Sequence, residues 1–104
     1  MNFDEKSYTI PESAYPVPMI LDTDTYNEID DQFALVYALL TPERVDLRGV
    51  TAAPFLNSRS TSPADGMEKS FQEIVRIIEL MGFAGSVPAF RGATSFLPDF
   101  AYAT

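Results

Sequence analysis

Short apolar runs of strand type alternate with helical stretches along this sequence, and that order restricts the fold more than any other feature. Val17-Pro18-Met19-Ile20-Leu21-Asp22 is an apolar run ending in an acid. This is the pattern of a buried parallel strand whose C-terminal end carries chemistry. Thr23 to Glu28 is a polar loop. Ile29 to Leu40 reads as a helix, apolar nearly all round and therefore expected to be mostly buried; Pro42 stops it. Val45 to Ala52 is a second strand, and Phe55 to Thr61 a polar loop. Ser62 is a good N-cap, Pro63 suits the first helical position, and Asp65 sits where a capping-box acid belongs. Phe71, Ile74, Val75 and Ile78 then recur at the spacing of one helical face, and Gly82 marks the stop. Val87 to Phe90 is a short third strand. The order β-α-β-α-β with short connections predicts an α/β fold: a parallel sheet with right-handed crossovers, a Rossmann-like unit.

Around this unit, residues 1–16 read as an extended arm, because Pro11, Pro16 and Pro18 oppose helix. The unit itself spans residues 17–93. Residues 94–104 form an irregular tail without a period, expected to continue into a C-terminal part. Three strands leave sheet edges that need covering. The unit therefore reads as half of a larger doubly wound domain, and self-association into a homo-oligomer is expected.

Composition removes several function classes. With 104 residues, 46% of them hydrophobic and 12% aromatic, the chain can build one real core, which argues against a disordered acidic polymer. It has no cysteine and no histidine. Disulfides, thiol chemistry, zinc sites of the usual nitrogen and sulfur type, and serine–histidine catalysis are thereby excluded within the chain. A net charge of −8 opposes nucleic-acid binding, which needs clustered lysine and arginine. Met1 to Pro18 lacks the basic and apolar regions of a targeting segment, and the apolar run Phe33 to Leu40 is too short to span a bilayer. A cytoplasmic protein with no membrane partner is the expectation.

What remains is carboxylate chemistry, and the acids are concentrated. No lysine or arginine occurs between Lys6 and Arg44, an interval that holds Glu12, Asp22, Asp24, Glu28, Asp30, Asp31 and Glu43. Asp22 to Asp31 runs from a strand end, through a loop, into a helix N-terminus. Asp30 and Asp31 in a first helical turn are favoured by the helix dipole alone. That does not account for Asp22 and Asp24 converging on the same place. Two like charges about 5 Å apart repel by roughly 3 kcal/mol at an effective dielectric of about 20. Such a cluster calls for protons, a remote basic residue or a cation, and a hard divalent cation with oxygen ligands is the economical choice.

An EF-hand loop starting at Asp22 fails, since Asn27 stands where glycine is needed and Phe33 where glutamate is needed. The aspartyl-phosphate phosphatase pattern of the haloacid dehalogenase type accommodates Asp22 and Asp24, but not Thr25 and Tyr26, and has no use for Asp30-Asp31. Ile20-Leu21-Asp22-Thr23-Asp24, followed by Asp30-Asp31 and Ala34-Leu35, resembles the N-terminal signature of the nucleoside hydrolase family, calcium-dependent N-ribohydrolases of the inosine–uridine type. Leu47 to Thr51 looks like the family's second strand, Ser70 to Gly82 like its following helix, and Val87 to Ala93 like its next strand and turn. The likeness covers residues 17–93 and the N-terminal third of a family chain. It departs from the family where five residues, Thr25 to Ile29, separate the second aspartate from the Asp-Asp pair, a gap usually filled by Pro-Gly and one more residue.

The resemblance implies Ca²⁺ as cofactor and a ribonucleoside as substrate. It makes Asp24 a calcium ligand and the general base, and Asp31 the bidentate calcium ligand. Asp30 would accept hydrogen bonds from ribose hydroxyls. Asp22 would support the metal site by holding water or orienting Asp24, and Asn57 would be the ribose-binding asparagine. The other metal ligands, the leaving-group acid and the residues choosing the nucleobase would lie in the family's remaining part. A non-catalytic cation- or ribose-binding unit is the alternative. Among weaker candidates, Tyr26 reads as a sugar cover or an exposed loop residue, Asn27 as a cap for the Ile29 helix, Glu68 as a surface acid and Arg91 as a solvated turn residue.

Overall fold

The computed structural model describes residues 11–27 and 29–98. Three strands, β1 (Val17–Thr23), β2 (Val45–Ala52) and β3 (Ala89–Arg91), alternate with two helices, α1 (Ile29–Leu40) and α2 (Pro63–Leu80). The sheet is parallel throughout, in the order β1-β2-β3. The α/β order read from the sequence therefore holds, and α1 and β2 have the expected bounds. The third strand lies further along, at Ala89–Arg91, because Val87 is still held in the turn after α2, donating its N–H to the Phe83 carbonyl at 3.2 Å. Most of the expected arm, residues 1–10, and most of the tail, residues 99–104, lie outside the described residues. The described part of the arm is not wholly extended: Glu12–Ala14 form a short 3-10 turn, with Ala14 N–H bonded to the Pro11 carbonyl at 2.8 Å.

Both helices pack on one face of the sheet. Leu35, Ala38 and Leu39 of α1, Met67, Ile74, Ile77 and Ile78 of α2, and Leu47, Val50 and Ala52 of β2 form one buried cluster. Strict alternation would put Leu47 and Val50 on opposite faces of β2. A bulge resolves this. Met19 pairs with Leu47 and Ile20 with Gly49, so Arg48 is the extra residue, and both Leu47 and Val50 face the helices. The other face carries Ile20, Asp22, Gly49, Thr51 and Phe90, with the Phe90 ring against Gly49. Ile20 is 69% exposed there.

The expectation that α1 is buried nearly all round is not met. Only Leu35, Ala38 and Leu39 are buried, while Ile29, Phe33, Tyr37 and Leu40 form an exposed apolar stripe. A helix with the sheet on one side buries one stripe, and among the described residues no element covers the opposite side.

Helix α2 begins and ends as its sequence predicts. The Ser62 hydroxyl accepts the Asp65 N–H at 3.0 Å, and Asp65 returns a bond by accepting the N–H of Thr61, one residue outside the usual box, at 2.9 Å. At the other end Gly82 has φ +82°; its N–H bonds to the Glu79 carbonyl and that of Phe83 to the Ile78 carbonyl, a Schellman motif. Arg91 and Glu68 tie β3 to α2 through two hydrogen bonds of 2.7 and 3.0 Å, with the guanidinium 4.0 Å from the centre of the Phe71 ring. Arg91 thus meets an acid outside the Asp22–Asp31 cluster, and holds the Glu68 carboxyl down at a pKa of about 2.

Gly66, inside α2, sits directly on the loop after β2. A methyl group there would lie 2.1 Å from the Phe55 carbonyl oxygen. Helix propensity alone predicts that Gly66→Ala stabilises by up to ~1 kcal/mol. Overpacking against fixed backbone reverses the sign, and a net loss of about 1–3 kcal/mol is expected. Urea unfolding of the two proteins, compared at equal m-value, checks this.

Candidate functional site

The C-terminal ends of the strands are where a parallel α/β sheet places its chemistry. At that end of β1 the chain turns through Thr25–Asn27, closed by the Asn27 N–H on the Asp24 carbonyl at 2.7 Å, before α1 begins. The turn and the first turn of α1 bring the carboxyls of Asp24 and Asp31 into hydrogen-bond contact. Two carboxyls in contact perturb each other's ionisation. The two carboxyls are pushed apart in acidity: burial, then the hydrogen bond to Asp31, raise the Asp24 pKa, against a smaller lowering by the Asn27 amide. Asp31 is pushed below the ordinary range, first by its bond with Asp24 and then by the Thr23 hydroxyl. Among the described residues, neither carboxyl is paired with a lysine or arginine.

Each carboxylate is also held by uncharged donors. Thr25, fully buried, donates its hydroxyl to that of Thr23 at 3.0 Å, and Thr23 donates to Asp31 Oδ2 at 2.5 Å. The Asn27 amide donates to Asp24 Oδ2 at 2.8 Å. Asn27 is therefore not spent as a cap on α1, the role its position suggested. Tyr26 is partly exposed, its N–H on the Ser70 hydroxyl at 3.2 Å and its ring stacked on Phe55 at 6.4 Å between centroids.

The other expected site residues are distributed around this pair. Asp22 does not join it. Strand alternation turns Asp22 to the far face of the sheet, where it accepts the Thr51 hydroxyl at 2.6 Å. The expected convergence of Asp22 and Asp24 is thus not what the fold produces, and among the described residues no three acids gather as a metal-binding group. Asp30 is exposed in the first turn of α1 and lines an open cleft of about 550 Å³ with Asn27, Ile29, Asn57, Ser58 and Arg59. Asn57 reaches this region through its amide, which donates to Asn27 Oδ1, while Arg59 donates its guanidinium to the Asn27 carbonyl. The sequence pattern singles out Asp24, Asp30, Asp31 and Asn57 as candidates but not their neighbours Thr23, Thr25 and Arg59. The only signal for the threonines is that hydroxyl residues flank Asp24 on both sides.

The donor set is all oxygen and anionic, which suits a hard cation such as calcium. Asp24 and Asp31 offer about four oxygens at most, whereas calcium takes roughly 6–8. These two residues fit one part of a calcium shell, and further ligands must complete it. Comparison with protein-family models, curated proteins and solved structures finds no match to this chain.

The opposite perturbation of the two carboxyls can be tested directly. In the metal-free chain, carboxyl carbon NMR is expected to show Asp24 titrating above and Asp31 below the ordinary aspartate range. Asp31→Asn removes the neighbouring charge and the competing acceptor, so the Asp24 titration should move down. An unchanged Asp24 curve would mean that burial alone raises it.

Proposed function

We propose that this β-α-β-α-β unit is the calcium- and ribose-binding part of a nucleoside hydrolase, which cleaves the N-glycosidic bond of ribonucleosides with water. The observation that carries the reading is the contact between Asp24 and Asp31 at the C-terminal end of β1, beside a polar cleft that holds Asp30. It brings together one aspartate of the Asp-x-Asp motif and one of the Asp-Asp pair.

In this reading Asp24 and Asp31 hold Ca²⁺, whose bound form supplies a Lewis acid and orients the ribose diol. Asp24 is the general base that takes a proton from the attacking water, a role that requires its carboxylate form. Asp30, exposed in the cleft, accepts hydrogen bonds from ribose hydroxyls. The departing base leaves positive charge on the sugar, and the carboxylates of the site stabilise that developing charge. Asp22, bonded to Thr51 on the far face, steadies the end of β1 without touching the cation. Ligands outside these residues complete the shell. The reading includes a cytoplasmic setting and a homo-oligomer, with the apolar stripe of α1 and the open sheet face as surfaces to be covered.

The test is release of free ribose from inosine or uridine by the whole protein carrying this unit, with and without calcium. Asp24→Asn keeps the shape and loses the base, so kcat should fall ~10²–10⁴-fold. Asp30→Ala should raise KM as well as slow turnover. Calcium-independent turnover, or normal turnover in Asp24→Asn, would remove the assignment.

A further inference from the structure

Asn27 occupies an unusual position between two loops. Its backbone N–H, backbone carbonyl, side-chain amide and side-chain carbonyl all have partners: the Asp24 carbonyl, the Arg59 guanidinium, Asp24 Oδ2 and the Asn57 amide, respectively. Asn57 is fixed in turn. Its N–H donates to the Ser60 hydroxyl at 3.2 Å, its Oδ1 accepts the Arg59 N–H at 2.8 Å, and its carbonyl accepts the Ser60 N–H at 3.1 Å. Ser60 is buried, with its hydroxyl on the Phe55 carbonyl at 2.9 Å.

The direction of this chain of bonds follows from its fixed end. A backbone N–H can only donate, so the Arg59 N–H fixes Asn57 Oδ1 as the acceptor. The Asn57 NH₂ group must then point to Asn27, which presents Oδ1 to it. That leaves the Asn27 NH₂ group facing Asp24, whose Oδ2 accepts it at 2.8 Å. Reversing either amide would set two donors or two acceptors against each other. The loop after β2 therefore delivers a donor of defined orientation to one oxygen of a carboxylate at the end of β1. The carboxyl torsion of aspartate is otherwise broad and roughly two-fold.

We infer that Asn27 is the positioning residue for Asp24 and that Asn57 acts through it, orienting the Asn27 amide from the loop after β2. The inference rests on Asp24 being a calcium ligand, as proposed above. It gives Asn57 a positioning role in place of direct contact with ribose.

Calcium titration by calorimetry on the 104-residue chain, together with its Asn27→Ala, Asn57→Ala and double variants, tests this. Hydrogen-bond partners of metal ligands are typically worth 10–100-fold in affinity. Asn27→Ala should weaken calcium by roughly that factor and Asn57→Ala by less. The double variant should match Asn27→Ala alone, because a residue acting through Asn27 has nothing left to orient. Circular dichroism melts identify any variant that has lost its fold. Equal affinity of Asn27→Ala and the parent overturns the inference, and additive losses overturn the relay through Asn57. A parent chain that binds no calcium removes the site assignment instead. The relay is then decided by the side-chain amide ¹⁵N resonance of Asn27 in the metal-free protein. Its movement in Asn57→Ala supports the relay, and its constancy overturns it.

Discussion

Strand β2 holds the molecule together. It has a parallel partner on either side, and its inner residues Leu47, Val50 and Ala52 form the apolar surface onto which both helices close. Each buried aliphatic side chain of this kind contributes ~1.5–3 kcal/mol. Loss of the pairing would therefore cost the helices their common support as well as the ladder. The bulge at Arg48 belongs to the same constraint, because without it Val50 would face away from Ile74 and its neighbours. A single residue out of register decides which half of β2 is core.

The same pairing brings the polar loops together. Parallel strands end on the same side, so the turn after Thr23 and the loop after Ala52 emerge next to each other. The Ala53 N–H bonds to the Thr23 carbonyl at 2.8 Å, which extends the ladder to the point where the two loops separate. Beyond it, Asn57 and Arg59 reach Asn27, and Ser70 of α2 takes the Tyr26 N–H. The loop after β1 is thus held from two directions, and two aspartates of one sign are kept in contact by rigid surroundings. Neutral donors from Thr23 and Asn27 offset part of their repulsion.

Much of this was legible in the chain itself. The alternation of segments, the cap at Ser62, the stop at Gly82 and the bounds of α1 and β2 are local properties. They depend on capping chemistry, on the φ freedom of glycine and on periodicity, each expressed within a few residues. The concentration of acids between Asp22 and Asp31 is equally plain, as is the absence of histidine and cysteine that leaves carboxylates as the available chemistry.

What the sequence could not decide is the direction in which each side chain points once the elements meet. Asp22 and Asp24 are two residues apart, yet Asp22 ends on the far face with Thr51 while Asp24, just beyond the strand, meets Asp31. The expected burial of α1 failed for a related reason: hydrophobicity states what a helix would bury, but burial needs a partner, and among the described residues α1 has one only on the side of the sheet. The bonds from Asn57 to Asn27 and from Arg91 to Glu68 join residues 30 and 23 positions apart. No local pattern encodes them. Composition and periodicity settled which elements form and which chemistry is available, because those follow from short-range sterics and solvation. Tertiary structure alone decided which carboxylates share a site and what holds them, because that depends on strand register and on loops brought together by the parallel sheet.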